Sequence, residues 1–353
     1  MTIRPDFSLN AETHVTELDF NAMRQIMLHE AKEHDLPVLE NEDTRVTLET
    51  PFGCYCFEAA NGGVTFKVTA AKQDWLFMLK EQLVEHLAHF LPGVEEKIRW
   101  SDADQAGGLP PNFHFATVQA VTPVGTSFVR VRVKARGLSS FKDDAIHFRI
   151  VLPPKDSVNV EWPYVSESGA TVWPKGDKAL HRPVYTTRWI DHAQGLMDFD
   201  VFIHEGGRVT EWARSVELGA QVAVVGPGGG GIPETNRILM FADETALPAM
   251  ARILEALPTD TLGHVTALTE NGTNCAYSLT APPGVSITWL DRKDEHSLAD
   301  IALTAMKEFP DHFLWFACEK ADVQRVRAEY KAENGDSARA YIAAYWSQPS
   351  TTD

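Results

Sequence analysis

The chain has 353 residues, more than one ordinary domain needs. Its 44% hydrophobic content is that of a core-forming globular protein, and no apolar run is long enough for a spanning helix. A formal charge of −17 argues against nucleic acid as a partner, because no net positive field recruits phosphate.

The polar opening Met1–Asp6 has no apolar signal region, so a cytoplasmic location is expected. Residues 1–108 read as an independent α-β-β-β-α module. Asp19–His34 is a predicted helix with Phe20, Met23, Met27 and Ala31 on one stripe. Strands follow at Arg45–Thr50, Cys54–Ala59 and Val64–Ala70, the last two joined by an Asn61-Gly62-Gly63 hairpin signal. A second helix, Gln73–Leu91, carries Leu76, Leu79, Leu83, Leu87 and Phe90 on one face. His86 and His89 lie on its solvated flank, with no carboxylate partner that would make a metal site. The four cysteines, Cys54, Cys56, Cys275 and Cys318, lack a second pair at zinc spacing and read as reduced thiols.

Gly107–Asn112 is a linker. Residues 109–232 are then β-rich, with strands expected at His114–Thr122, Ser127–Ala135, Ala145–Leu152, Pro183–Ile190, Met197–His204 and Gln221–Val225. With one short helix, Thr210–Leu218, this suits a six-stranded antiparallel β-barrel. The Gly226–Gly231 run ends it. Residues 233–353 alternate strand and helix: Ile238–Ala242, Leu247–Leu257, Val265–Thr269, Val285–Trp289, Leu298–Lys307, Phe313–Ala317 and Asp322–Glu333. That bookkeeping predicts a mainly parallel sheet in a C-terminal α/β domain.

Several constellations stand out. The first is Arg182-Pro-Val-Tyr185-Thr186-Thr-Arg188 on a predicted barrel strand. Tyr185 and Thr186 share a face only if the strand twists or bulges there. The second is His204, Gly206-Gly207, Thr210 and Trp212-Ala213, where a helix start offers free amides. The third is Asp243-Glu-Thr245-Ala246-Leu-Pro248, at the carboxyl end of the first parallel strand, where ligands of such sheets bind. Thr245 can cap the helix and Pro248 suits its first turn. Asp243 and Glu244 would repel a dinucleotide's phosphates, and no glycine fingerprint is present. Fourth, Arg130, Arg132, Lys134 and Arg136 alternate along one strand and point to one side of it. With Arg149 they offer a basic place for an anion on an acidic protein.

The Tyr-Thr-x-Arg and Asp-Glu-Thr-Ala-Leu-Pro stretches, in this order and about 60 residues apart, resemble the siderophore-interacting proteins. These are FAD-dependent ferric-siderophore reductases of the ferredoxin-reductase superfamily. The resemblance covers roughly residues 110–347. Trp289-Leu290-Asp-Arg292, Trp315-Phe-Ala317-Cys318-Glu319 and Tyr345-Trp346 add to it. Two departures are Cys318, where the family has glycine, and Ser347, where a basic residue is common. The N-terminal module is similar to a small domain of unknown function fused to such reductases.

The resemblance implies an FAD site at Arg182, Tyr185, Thr186, Arg188, His204, Gly207, Thr210, Trp212 and Ala213. Arg182 stands three residues before Tyr185, where the family motif has two. It also implies an NAD(P)H site around Asp243, Thr245, Ala246, Glu270, Arg292 and Glu319, and an iron-chelate site using Arg130, Arg132, Lys134 and Arg149. Glu270 at a strand end leans toward NADH, because a carboxylate there accepts from the ribose 2′-hydroxyl; Arg292 could instead pair with a 2′-phosphate. The implied activity passes a hydride from NAD(P)H to FAD and single electrons to the Fe(III) of a siderophore, releasing Fe(II). Two alternatives stay open: a flavin reductase with another acceptor, such as a quinone or a carrier protein, and a non-catalytic iron-status binding protein.

Overall fold

A computed structural model describes residues 7–33, 36–102, 106–155, 157–333 and 335–348. The polar opening and the expected helix end at His34 lie outside them. The N-terminal stretch runs β1 (Leu9–Thr16), α1 (Phe20–Glu33), β2 (Val38–Asn41), β3 (Arg45–Thr50), β4 (Gly53–Ala60), β5 (Gly63–Ala70) and α2 (Gln73–Phe90). The middle stretch runs β6 (Phe113–Val124), β7 (Phe128–Ala135), β8 (His147–Val151), β9 (Tyr164–Val165), β10 (Thr171–Val172), β11 (Val184–Thr186), β12 (Trp189–Asp191), β13 (Leu196–Phe202), α3 (Arg208–Ser215) and β14 (Gln221–Gly228). The C-terminal stretch runs β15 (Arg237–Asp243), α4 (Leu247–Ala256), β16 (Leu262–Thr269), β17 (Gly284–Asp291), α5 (Leu298–Glu308), β18 (Phe313–Glu319), α6 (Lys320–Ala332) and β19 (Ala340–Trp346).

The chain packs as two compact units, Met1–Phe113 with Val151–Arg182, and His114–Ile150 with Pro183–Asp353. In the first unit β1-β5-β4-β3-β2 form one sheet, antiparallel at every junction. Two of its strands, β1 and β2, were not expected from the sequence. β1 buries only Ala11, Thr13 and Val15, so its alternation is weak in apolar residues, and β2 is a mostly exposed edge. Helix α2 buries Leu76, Leu79, Leu83 and Leu87 as its period predicts, but Phe90, in the last turn, is exposed. The stretch 151–182 belongs to this unit. Its ends are joined by the Leu152–His181 bridge. Trp100 N donates to Ser168 O (2.8 Å), Gly107 N to Val165 O (2.7 Å), and Thr171 N to the half-buried Glu81 carboxylate (3.1 Å).

The second unit holds two sheets. The first has the order β11-β8-β14-β6-β7-β13-β12. It has seven strands, where six were expected, because the predicted strand Pro183–Ile190 divides into β11 and β12. The second sheet, β17-β16-β15-β18-β19, is parallel throughout. Its central strand β15 is apolar on both faces. Ile238, Met240 and Ala242 pack with Met250, Ile253 and Trp315; Leu239 and Phe241 pack with Leu298, Phe316 and Val326. Burial of a large apolar side chain contributes about 1.5–3 kcal/mol, and this double-sided core holds the carboxyl ends of four strands in fixed register.

Candidate flavin and electron-transfer site

The motif strand changes partner in the middle. β11 pairs with β8 (Tyr185 opposite Phe148, Thr186 opposite His147), whereas β12 pairs with β13. At the break Thr187 N donates to Ile146 O and Arg188 N to Asp198 O, both at 2.8 Å. Tyr185 is half-buried with its ring edge-on to the buried Phe199, centroids 5.6 Å apart. Thr186 is buried, its hydroxyl 3.3 Å from His147 Nδ1. His147 Nε2 in turn lies 3.1 Å from the Tyr345 hydroxyl, at the end of the parallel sheet. Burial, helped by the Arg252 charge, lowers the His147 pKa to about 4, so the imidazole is neutral at pH 7. The glycine run fits against this group. A Cβ on Gly229 would stand 2.5 Å from the His147 ring, and one on Gly230 would stand 2.4 Å from Tyr341; two named contacts of the run thus require glycine.

Arg188 forms a two-pronged pair with Glu255 on α4, at 2.7 and 2.6 Å, and its buried Nε has no hydrogen-bond partner among the described residues. Arg182 falls in the first unit, its guanidinium 4.0 Å from the centroid of the Trp173 ring.

Helix α3 starts at Gly207, whose N-cap position has no side-chain hydrogen bond. Thr210, the nearest hydroxyl, is turned inward, donating to Phe202 O (3.2 Å) and accepting from His204 N (3.4 Å). The first-turn amides of such a helix have no intrahelical acceptor and suit a phosphate. A Cβ on Gly207 would approach the exposed His204 ring to 2.6 Å and Thr210 Oγ1 to 2.9 Å, so a larger residue here would displace both side chains. The His204 ring stacks on Phe202 (6.0 Å) and Nδ1 lies 3.0 Å from Glu205 O. Trp212 lies parallel to Phe199, centroids 6.5 Å apart, and Ala213 is buried. Tyr185, Phe199 and Trp212 thus form one aromatic group. An aromatic wall, a buried hydroxyl, an uncapped helix start and an orphaned guanidinium Nε match what FAD requires of a site.

The expected nicotinamide residues cluster at the carboxyl ends of the parallel strands. Asp243 is buried; it accepts from Thr245 N (3.0 Å), Thr245 Oγ1 (2.6 Å) and Trp346 Nε1 (2.6 Å). Burial pushes its pKa up, and the Thr245 and Trp346 bonds oppose that. The buried Glu244 accepts from Arg292 (2.5 Å) and from Glu270 N (2.6 Å). Ala246 is wholly buried, so it offers backbone alone. Glu319 accepts from Ala321 N (2.5 Å) at the start of α6 and from Gln348 N (3.2 Å). The structure joins Asp243, Thr245, Glu270 and Arg292 through Glu244 and Trp346, while Glu319 tethers the chain after β19.

Two arginines of the basic stripe are paired within the sheet. Arg130 grips Asp200 with two bonds (2.7 and 2.8 Å), and Arg132 grips Asp198 with two (both 2.7 Å). Tyr277 also donates to Asp200, at 2.6 Å. Both aspartates are buried on β13, in register with the arginines of β7. Their Asp-Phe-Asp alternation was the signal in the sequence. Lys134 and Arg149 are exposed. Among the described residues no group of three or more metal-ligating side chains could hold an ion, and none of the four cysteines is in a disulfide. No helix of the described residues is long and apolar enough to cross a membrane.

Comparison with known proteins matches two adjoining stretches of the chain. The family model of the siderophore-interacting FAD-binding domain matches residues 117–231, and that of the siderophore-interacting protein matches residues 235–349. An NADPH-dependent ferric-chelate reductase of Escherichia coli is 31% identical over 242 residues, 66% of this chain and 92% of that protein. A ferric vibriobactin reductase of Vibrio cholerae is 27% identical over 195 residues, 53% of this chain and 69% of that protein. Among solved structures, a siderophore-interacting protein from Aeromonas hydrophila shares the fold, with a TM-score of 0.55 and 23% identity over 67% of this chain and 99% of its own. With residues 117–231 and 235–349 matched and its likeness to the ferric-chelate reductase running over nearly that protein's full length, the chain belongs to the siderophore-interacting protein family.

Proposed function

We propose that this chain is an oxidoreductase that reduces ferric chelates, siderophores among them, with FAD as cofactor and NAD(P)H as electron donor. The observation that carries the reading is the line Thr186–His147–Tyr345. It ties the flavin-motif strand to the last strand of the parallel sheet inside one compact unit. Family membership supports the same chemistry, as does the name of the E. coli relative. In this reading residues 109–232 are the FAD domain and residues 233–353 the NAD(P)H domain.

Bound FAD supplies the step that the protein cannot, taking a hydride from the nicotinamide and passing electrons singly to iron. The chain's own residues bind and orient. Tyr185, Phe199 and Trp212 give the aromatic wall, Thr186 a hydroxyl fixed by His147, and the start of α3 the phosphate amides. Arg188 reaches a phosphate with its free Nε or by leaving Glu255. At the sheet's carboxyl ends, Thr245 and the Glu244–Arg292 pair shape the donor's place. His147 is a neutral imidazole at neutral pH, not an imidazolium, so it fixes the hydroxyl by hydrogen bonding without acting as an acid. Iron needs no resident ligand here, because it arrives and leaves as part of the substrate.

The test is a titration with FAD followed by anaerobic addition of NADH or NADPH. The expected outcome is stoichiometric FAD binding, bleaching of its visible absorbance by either donor, and recovery on adding a ferric chelate. Recovery with a quinone but not with the chelate would assign a different acceptor. A protein that binds no FAD would refute the reading.

A further inference from the structure

Arg252, on α4, is a buried cation. Its guanidinium donates to Thr187 O (2.5 Å), to Asp143 Oδ1 (3.0 Å) and to Lys142 O (3.3 Å). Burying a guanidinium is costly unless its donors are met, and two of these three acceptors are backbone carbonyls. Thr187 is the residue at which the flavin-motif strand changes partner, and it belongs to neither ladder. Arg252 supplies a donor for its carbonyl. Lys142 and Asp143 precede β8, the strand that β11 pairs with. Three positions further along α4, on the same side of the helix, Glu255 holds Arg188 with two bonds. One helix thus grips two consecutive residues of the motif, Thr187 by its backbone and Arg188 by its side chain. The Arg252 charge also helps to keep the His147 ring neutral, and that ring is the partner of the Thr186 hydroxyl.

At its other end α4 follows Asp243–Ala246 directly, the stretch that shapes the donor's place. Met250, Ile253 and Leu254 pack the helix into one core with Ile238 and Met240 of β15. At about 1.5 Å per residue, Arg252 stands roughly 7.5 Å along the helix from Leu247. A rigid rod therefore runs from the donor end of the sheet to the flavin-motif strand. Resting on the reductase reading, we propose that Arg252 is a positioning residue for hydride transfer: by pinning Thr187 to α4 it sets the reach between a flavin held by Tyr185–Arg188 and a nicotinamide held at the start of the helix. It acts through the strand and gives no proton or electron itself. Hydride transfer depends steeply on this reach, since a misplacement of about 1 Å can cost on the order of a hundredfold in rate.

The test compares the wild type with Arg252→Met, which keeps an apolar stem and loses every bond, and with Arg252→Lys. The lysine keeps a cation but lacks the planar fork that meets Thr187 O and Asp143 together. Each protein is saturated with FAD, its stability is read by urea unfolding, and anaerobic bleaching of the flavin by NADH or NADPH is followed by stopped flow over a range of donor concentration. The limiting rate should fall by about tenfold or more in Arg252→Met, with Arg252→Lys between the two. The donor concentration for half the limiting rate should stay within about threefold of the wild type, because uniform binding is not what is lost. An arginine that served stability alone would lower the urea midpoint and leave the limiting rate of the FAD-loaded protein unchanged. A smaller loss in Arg252→Met, a loss carried by the half-saturating concentration, or no recovery in Arg252→Lys would overturn the proposal. Should Arg252→Met fail to fold or to take up FAD, Arg252→Lys decides: a limiting rate below the wild type supports the proposal, and a wild-type rate overturns it. These outcomes leave the reductase reading standing. That reading fails, and the proposal with it, if neither donor bleaches FAD on the wild-type protein.

Discussion

His147 shows how much one buried side chain can decide. Its two ring nitrogens reach Thr186 and Tyr345, and its surroundings hold the pKa at about 4 against an ordinary 6.5. The folded-state pKa is depressed, so its share of stability is complete above pH 6.5 and is lost as the pH falls toward 4, where the unfolded chain binds the proton first. At about 1.4 kcal/mol per pKa unit, the loss between pH 7.5 and pH 4.5 is about 2.5 kcal/mol. Urea unfolding of the wild type and of His147→Gln at these two pH values should show that extra loss in the wild type alone. Equal losses in the two proteins would contradict the assignment. The sequence shows the motif residues Tyr185, Thr186 and Arg188 plainly. It does not show that Thr186 leans on His147, 39 positions away, because that contact depends on the pairing of β11 with β8.

At the scale of elements, most helices and strands follow from periodicity, and the errors have physical causes. The stretch Pro183–Ile190 reads as one strand because its composition is uniform, yet backbone bonds at Thr187 and Arg188 hand it from β8 to β13. β19 was missed since Ala340–Trp346 shows no clean alternation; its residues are nearly all half-buried. The stripe Arg130–Arg136 is read from one strand alone, so the pairing of Arg130 and Arg132 with Asp200 and Asp198 of the next strand does not show in it. Helix α3 carries a prediction of its own. In Gly207→Ala the new methyl would stand 2.6 Å from the His204 ring and 2.9 Å from Thr210 Oγ1. Relieving the contact displaces the exposed His204 ring and the Thr210 hydroxyl that flank the amides that would hold phosphate. FAD affinity, read by fluorescence titration, should fall by about tenfold or more. An unchanged dissociation constant would show that this helix start does not hold the cofactor.

Across the whole molecule, the sequence separates a barrel stretch from a parallel-sheet stretch because the patterns differ: short alternating strands, then apolar runs divided by helices. It does not disclose that Val151–Arg182 packs with the N-terminal unit. Among those contacts are backbone bonds, Gly107 with Val165 and Trp100 with Ser168, which leave no mark on composition. The charge of −17 is likewise legible as a sum but not as an arrangement; the ion pairs inside the second unit decide what its arginines offer. The central claim is that donor electrons reach iron through bound FAD. The most direct measurement is an anaerobic count of Fe(II), trapped by a chromogenic ferrous chelator, against NAD(P)H consumed, with a neutral ferric tris-hydroxamate as acceptor. The expected result is two Fe(II) for each NAD(P)H oxidised by the FAD-loaded protein and almost none without FAD, because a hydride carries two electrons and each iron takes one. The same Fe(II) yield from flavin-free protein, or NAD(P)H consumption with no Fe(II) formed, would contradict it.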